Sequence, residues 1–364
     1  MRDGVSPSCL ALPRLRHCPW STLLDYLAER LPRIPRSEWR ARMRNGHVLD
    51  EQGRPLAEHT PYLHGQRVYY WRTLADETPI PFHATVLFRD EHLLVADKPH
   101  FLPVTPGGRY VRETLLVRLK RELDLPELSP LHRIDRETAG LVLLSVRASE
   151  RNAYQRLFRE RRMEKIYVAI APWRDDLTWL QRRVSHLRED EAAFFRMREA
   201  DPAEGLPPNS ETWIEPLQCL GPDARFARYR MRPVTGKRHP LRVHMAALGL
   251  PFVEDAFYPQ VRCGPNDPED CAQPLQLLAQ ALAFDDPITG QRRSFPRTRR
   301  LDASQCHAQN PLNTGHVQTP SNLRHRHDGK GVCGACARAE DNRVQAEDSR
   351  RAAGHRRCMR EGGR

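Results

Sequence analysis

The residues best suited to chemistry lie close together, from Leu131 to Gly140: the carboxylate of Asp135, the arginines Arg133 and Arg136, His132 and the turn glycine Gly140. An apolar run, Leu141-Val142-Leu143-Leu144, follows at once. This pattern reads as a loop that holds Asp135 at the mouth of a buried strand. An arginine two residues before and another one residue after the carboxylate favour its ionised form. An ionised carboxylate works as a nucleophile or a base. The plainer reading of the same residues is a surface ion-pair loop, and two further segments weigh against it.

The first is Lys165-Ile166-Tyr167-Val168-Ala169-Ile170, a strand with a tyrosine in it. The second is Gly236-Lys237-Arg238-His239-Pro240-Leu241-Arg242-Val243-His244-Met245, a loop entering a helix that runs toward Gly249. On residue type alone, Tyr167 reads equally as a ring packed in a strand, and Arg242 as a helix-surface arginine beside His239 and His244. Leu241 and Val243 supply apolar walls. Lys237 and Arg238 read as phosphate contacts, and His132 as a group that packs or bonds locally.

The elements that must position these residues fall into two parts, as a length of 364 suggests. Residues 1–20 read as a flexible N-terminus. Residues 21–72 form a small first domain. Leu23, Leu24, Leu27 and Leu31 recur at helical spacing after Ser21, a good N-cap. A second helix fits Ser37 to Arg44, with Trp39 and Met43 on one side and Arg36, Arg40, Arg42 and Arg44 exposed. Short strands are expected at His47–Asp50 and Gln66–Trp71. Residues 73–81 read as a linker.

The second domain, 82–303, opens with strands at Val86–Asp90 and His92–Pro99 joined by a tight turn. A helix follows at Glu113–Leu123 and another at Ser149–Arg162. Further strands fit Phe226–Arg232 and Leu275–Phe284. Arg174 to Pro208 is charged and weakly patterned and reads as an insertion or long loop. Strands outnumber helices, so the fold class is α+β, a mixed and largely antiparallel sheet flanked by helices. Residues 304–364 have few apolar side chains and read as a disordered tail. Cys333 and Cys336 have zinc-like spacing, with His325 and His327 nearby, but a structural site wants a tidier second pair.

The formal net charge is +12, with arginine far outnumbering lysine. Arginine forks match phosphates and stack on bases, so the chain leans toward nucleic acid. No apolar run approaches membrane-spanning length, and the first residues lack a secretory signal's apolar core. Nine scattered cysteines fit reduced thiols in a cytoplasm. The expected localisation is therefore cytoplasmic, with no membrane partner.

His132-Arg133-Ile134-Asp135-Arg136-Glu137-Thr138-Ala139-Gly140 resembles the signature of the RluA family of pseudouridine synthases. Asp97-Lys98-Pro99 resembles the strand end before the family's Pro-Gly loop, here Pro106-Gly107. Lys165-Ile166-Tyr167 resembles its Lys-x-Tyr strand, and residues 236–245 its Gly-Arg-Thr-His-Gln-hydrophobic-Arg-Val-His element. The likeness spans about residues 82–300 with the order kept, and chance rarely supplies four ordered pieces. Ala139 stands where the family usually has serine, and Arg238 and Pro240 where it has threonine and glutamine.

The resemblance implies isomerisation of uridine to pseudouridine in a structured RNA, ribosomal or transfer. The carbon–nitrogen glycosidic bond breaks, the uracil turns, and carbon 5 joins the same ribose. No atom is lost and no electron leaves, so no cofactor and no metal is expected. Asp135 is the implied reacting carboxylate, by addition to the sugar, addition to uracil, or removal of a ribose proton. Arg242 would hold it charged and aimed. Tyr167 would lie over the base and assist the loss of the proton on carbon 5. Arg133 would fill the space left by a flipped uridine, whose unstacking costs about a few kcal/mol. The first domain is similar to the αL RNA-binding domain, with Arg36, Arg40 and Arg44 as its phosphate contacts. The resemblance implies a monomer with no obligatory protein partner. Two rival readings are a non-catalytic RNA-binding protein acting in RNA folding or ribosome maturation, and an unrelated hydrolase using Asp135 as nucleophile.

Overall fold

The computed structural model describes residues 3–32, 34–71, 77–221, 223, 225–264, 267, 270–297 and 301. The strands in chain order are β1 (Ser8–Ala11), β2 (Val48–Leu49), β3 (Arg67–Tyr70), β4 (Thr85–Arg89), β5 (Leu93–Lys98), β6 (Ser129–Pro130), β7 (Ala139–Ser145), β8 (Glu164–Pro172), β9 (Gln181–Ser185), β10 (Leu187–Asp190), β11 (Ala193–Glu199), β12 (Ser210–Leu220), β13 (Phe226–Pro233), β14 (Leu277–Asp285) and β15 (Arg292–Pro296). The helices are α1 (Leu23–Arg30), α2 (Arg36–Arg44), α3 (Leu115–Leu123), α4 (Arg151–Arg159) and α5 (Pro240–Ala247). The chain divides into two compact units, Met1–Pro81 with Pro103–Leu128, and Phe82–Leu102 with Ser129 onward.

In the first unit β1, β3 and β2 form an antiparallel sheet with β3 in the middle. The stretch read as a flexible N-terminus therefore contains a strand. Its alternation is short and weakly apolar, and pairing with β3 supplies the order that local sequence does not. Helix α1 starts from Thr22, not Ser21: Thr22 and Asp25 cap each other's backbone N–H groups. Helix α2 begins at Arg36, and its Trp39 and Met43 are buried as expected. Arg42 is buried too, contrary to the sequence reading. Its guanidinium sits 5.2 Å from the Trp39 ring and 2.6 Å from Glu38. One helical turn brings it over the indole, so its stem covers apolar surface.

Helix α3, which the sequence places in the second domain, groups with the first unit. Val117 joins Val5, Trp71 and Val111 in one apolar cluster, and Lys120 reaches Ser6 at 3.1 Å. An amphipathic helix shows that it has a face to bury but not which neighbour will cover it. Residues 72–76 of the expected linker lie outside the described residues, as do 302–364. The latter include the expected tail and Cys333, Cys336, His325 and His327.

The second unit is built on one ten-stranded sheet. The main order is β4-β5-β7-β14-β8-β13-β12-β9, with β15 on β14 and β6 on β7. Only the β7–β14 pair is parallel among the described strands. The mixed, largely antiparallel sheet is thus as expected. Helix α4 packs Tyr154 and Leu157 against Leu93, Val95, Leu141, Leu143 and Phe284. Helix α5 packs Leu241 and Met245 against Ala169, Tyr229, Met231 and Leu277.

The region 174–208 is not the long loop that its sequence suggested. It supplies edge strand β9, paired with β12, and the hairpin β10–β11. Strand β9 reads Gln-Arg-Arg-Val-Ser. Charged side chains are common on edge strands, where they discourage further pairing, and they erase the apolar alternation that betrays a strand. Among the described residues no helix is long and apolar enough to cross a membrane.

Candidate active site

The loop that carries Asp135 joins β6 to β7, both inside the large sheet. Its far end is fixed by Gly140, with φ +117°, a region closed to side-chain-bearing residues. A Cβ there would lie 2.3 Å from the carbonyl oxygen of Ala279 on β14. Its middle, just past Asp135, is tied by Lys98, fully buried at the end of β5. Lys98 Nζ donates to the carbonyls of Pro99 at 2.8 Å, Leu102 at 2.7 Å and Arg136 at 3.1 Å. Burial pulls its pKa down to about 7, while the Glu137 and Asp135 charges pull it back up. Three carbonyl acceptors match the three N–H groups of the charged ammonium. The Asp135 carbonyl accepts the Thr138 N–H at 3.1 Å, which closes the turn.

The Asp135 side chain is 28% exposed and faces the start of α5. Its Oδ2 lies 3.7 Å from Arg242 Nη1, and its Oδ1 lies 3.7 Å from His239 Nε2. Arg242 is buried and fully engaged on its other side. Its Nε and Nη2 donate to the Asp255 carboxylate at 2.9 and 2.6 Å. Asp255 also accepts the backbone N–H groups of Phe257 and Tyr258. The guanidinium lies 4.7 Å from the Phe257 ring and 5.3 Å from that of Tyr258. Burial alone would lower the Arg242 pKa, but the Asp255 charge and hydrogen bonds outweigh it and raise the value. The remaining nitrogen, Nη1, has no hydrogen-bond partner among the described residues. It points between Asp135 and Glu137, whose Oε2 is 3.5 Å away. One cation therefore serves three carboxylates of increasing exposure: Asp255 at 0%, Glu137 at 14% and Asp135 at 28%.

Tyr167 stands on β8, opposite Ala279 of β14 and Met231 of β13, and packs against the cluster that holds Leu241. Burial first, and then the Asp135 charge, push its phenol above the ordinary value of 10. The phenol is therefore neutral at pH 7. It can stack or donate a hydrogen bond, and it can accept a proton only by passing its own onward. Asp135 lies near enough to act on its titration.

The structure brings Asp135, Tyr167 and Arg242 together and distributes the other expected residues more widely. Arg133 is exposed. His132, by contrast, is turned into the fold: its Nε2 accepts the Leu143 N–H at 3.1 Å and its ring stacks on Phe158. Burial, with Lys165 nearby, drops its pKa to about 3, so it is a neutral packing group. Lys237 is exposed. Arg238 donates to the carbonyls of Phe194 and Arg196 at 2.7 and 3.0 Å, which ties it to β11. Leu241 belongs to the Tyr167 cluster, whereas Val243 packs with Leu187, Met197, Phe257 and Tyr258.

Sequence reasoning missed His239, Asp255 and Glu137 as neighbours of the carboxylate. His239 and Glu137 lay inside segments already singled out, but nothing near Asp255 marks it as more than a loop acid. A cleft beside Glu137 is lined by Phe101, Arg136, Glu137, Phe257, Arg262 and Leu275. Among the described residues no group of three or more His, Cys, Asp or Glu side chains is placed to hold a metal ion.

Comparison with known proteins bears on what this arrangement does. The RNA pseudouridylate synthase family model matches residues 92–247, a span that includes Asp135, Tyr167, His239 and Arg242. An uncharacterized RNA pseudouridine synthase of Synechocystis sp. is 31% identical over 238 residues, covering 65% of this chain and 79% of that protein. The dual-specificity RNA pseudouridine synthase RluA of Salmonella typhi is 30% identical over 232 residues, covering 58% of this chain and 90% of that protein. The chain belongs to the RluA family of RNA pseudouridine synthases. It is an enzyme that isomerises uridine to pseudouridine in RNA. Among solved structures, human RNA pseudouridylate synthase domain-containing 1 aligns with a TM-score of 0.48 and 21% identity, over 60% of this chain and 84% of that one.

Proposed function

We propose that this RluA-type enzyme acts on uridines in structured ribosomal or transfer RNA, with Asp135 as the reacting carboxylate. The observation that carries the assignment is the placing of the Asp135 carboxylate 3.7 Å from the buried Arg242 guanidinium. A partly exposed carboxylate held beside a fixed cation is aimed, as each route to pseudouridine needs. Its carboxylate forms no hydrogen bond among the described residues, so both oxygens remain available to the ribose or the base. Tyr167, on β8, covers the base and supplies a neutral hydroxyl. Arg133, exposed on the same loop, fills the gap that the flipped uridine leaves.

The first unit contributes RNA affinity through Arg36, Arg40 and Arg44. These pair with Asp25 and Glu58 at 2.6, 3.1 and 3.2 Å. Such exposed pairs are worth about 0–1 kcal/mol, so phosphates compete for the same guanidiniums. The enzyme works as a cytoplasmic monomer without an obligatory protein partner. The composition supports this reading: a net charge of +12 and scattered cysteines.

Tritium release from RNA labelled with [5-3H]uracil tests the assignment, because joining carbon 5 to the ribose expels its hydrogen. Asp135→Asn is expected to abolish release while RNA retention on a filter stays within about a few-fold of wild type. Release that survives the substitution would remove Asp135 from the reaction. Mapping pseudouridine in total RNA from cells lacking the protein identifies the target. Loss from neither ribosomal nor transfer RNA would overturn the substrate class.

A further inference from the structure

Tyr258 Oη accepts the backbone N–H of Met197 at 2.8 Å and lies 3.1 Å from His239 Nδ1. A phenol has one proton to give, and Tyr258 keeps it: burial pushes its pKa up to about 12, against the opposing pull of the Met197 N–H. Among the described residues, the acceptor within reach of that proton is His239 Nδ1. An imidazole that accepts at Nδ1 and is neutral carries its hydrogen on Nε2. Burial favours the neutral ring, and Arg242 and Arg238 act in the same direction, against Asp135 and Glu137. The Nε2–H therefore faces Asp135 Oδ1, 3.7 Å away.

The ring has little freedom to do anything else. It is 8% exposed, stacked on Phe257 at 6.1 Å and set edge-on to Tyr258 at 5.8 Å. Its backbone is left-handed, with φ +51° and ψ +29°, immediately before Pro240. A residue with a side chain adopts that conformation sparingly, and such outliers gather at working sites. Here the outlier turns the imidazole back from the first turn of α5 toward the Asp135 loop.

We propose that His239 is a positioning residue for Asp135, with its Nε2–H closing on Oδ1 as Arg242 Nη1 closes on Oδ2. The inference rests on the reading of Asp135 as the reacting carboxylate. Both 3.7 Å separations exceed hydrogen-bond length by about 0.5 Å or more. Catalytic hydrogen bonds often tighten only in the substrate complex. A donor on each oxygen fixes the plane of the carboxylate, and so fixes which lone pair meets the substrate. Tyr258 acts one step further out by choosing the tautomer.

The test compares His239→Gln, His239→Asn and His239→Ala in single-turnover tritium release, with enzyme in excess over [5-3H]uracil-labelled total RNA from cells lacking the protein. A glutamine amide reaches to where Nε2 stands, whereas an asparagine amide reaches only to Nδ1. Loss of a hydrogen bond to a charged group predicts about a tenfold or greater fall for Ala and Asn, with most of the rate restored by Gln and RNA retention unchanged throughout. A purely structural role predicts the reverse order, because asparagine tolerates the left-handed backbone better than glutamine does. Asn equal to or faster than Gln, or Ala equal to wild type, would overturn the proposal. Long-range proton–nitrogen NMR of 15N-histidine-labelled enzyme gives a second readout, with the His239 signal assigned by its loss in His239→Gln. A proton on Nε2 in wild type is expected, and a proton on Nδ1 would also overturn it. Wild-type release abolished by Asp135→Asn separates a failure here from a failure of the underlying assignment.

Discussion

At the residue scale, Arg242 sets how one cation is shared among three carboxylates. Asp255 takes two of its nitrogens with short, paired bonds and leaves Nη1 for Glu137 and Asp135. Breaking a buried pair leaves an uncompensated charge and costs about 3–5 kcal/mol. Asp255→Asn is therefore expected to lower the unfolding midpoint in urea. It should also slow tritium release about tenfold or more as the freed guanidinium turns toward Asp135, with RNA retention kept. A variant as stable and active as wild type would show that Asp255 does not aim the arginine. Tyr167→Phe removes the neutral hydroxyl proposed to assist loss of the proton on carbon 5. It should slow release by about tenfold or more without changing RNA retention. Equal rates would confine Tyr167 to stacking.

At the scale of elements, the active loop depends on how closely β7 can lie against β14. Gly140 permits a parallel approach in which Ala279 occupies the space a side chain would need. Gly140→Ala meets both a closed backbone region and a backbone clash, which has no flexible side chain to give way. It is expected to cost about 3 kcal/mol, seen as a lower urea midpoint, and to impair release by displacing the Asp135 loop. The β6–β7 strands also hold His132, whose pKa is depressed to about 3 in the fold from an ordinary 6.5. The unfolded chain takes up a proton there as pH falls below 6.5, and the folded chain does not. Stability is thus fully present above pH 6.5 and declines toward pH 3, by about 2 kcal/mol at pH 5 from this residue alone. His132→Gln keeps an acceptor for Leu143 and should shrink the difference in urea stability between pH 7 and pH 5. An unchanged difference would show that the imidazole takes up its proton without unfolding the site.

At the scale of the whole molecule, the net charge of +12 predicts RNA affinity that falls steeply with salt. Replacing Arg36, Arg40 and Arg44 together by alanine should weaken RNA retention. It should also reduce the slope of log affinity against log salt by about 2, on the order of 0.7 per lost single-strand contact. An unchanged slope would confine RNA binding to the second unit. The arginines of α2 were visible as a basic face, but their pairing with Asp25 and Glu58 was not. Those acids lie outside the helix, and only the folded unit brings them within 3.2 Å.

Asp135, Tyr167 and Arg242 were legible because each stands in a short segment that resembles one of the family's ordered motifs, whereas residue type alone left Tyr167 and Arg242 open. The sheet class was legible because most inner strands are apolar runs bounded by turns. Strands β9, β10 and β11 were not, since charge on an edge removes the alternation that periodicity detects. The side of α3 that finds a partner, the burial of Arg42 and the inward turn of His132 were decided by neighbours distant in the chain. So was the grip of Asp255 on Arg242. Local sequence carries the candidate reacting groups, because their chemistry resides in single side chains. Their aim and charge come from contacts across the fold, and those are set only when distant segments pack together.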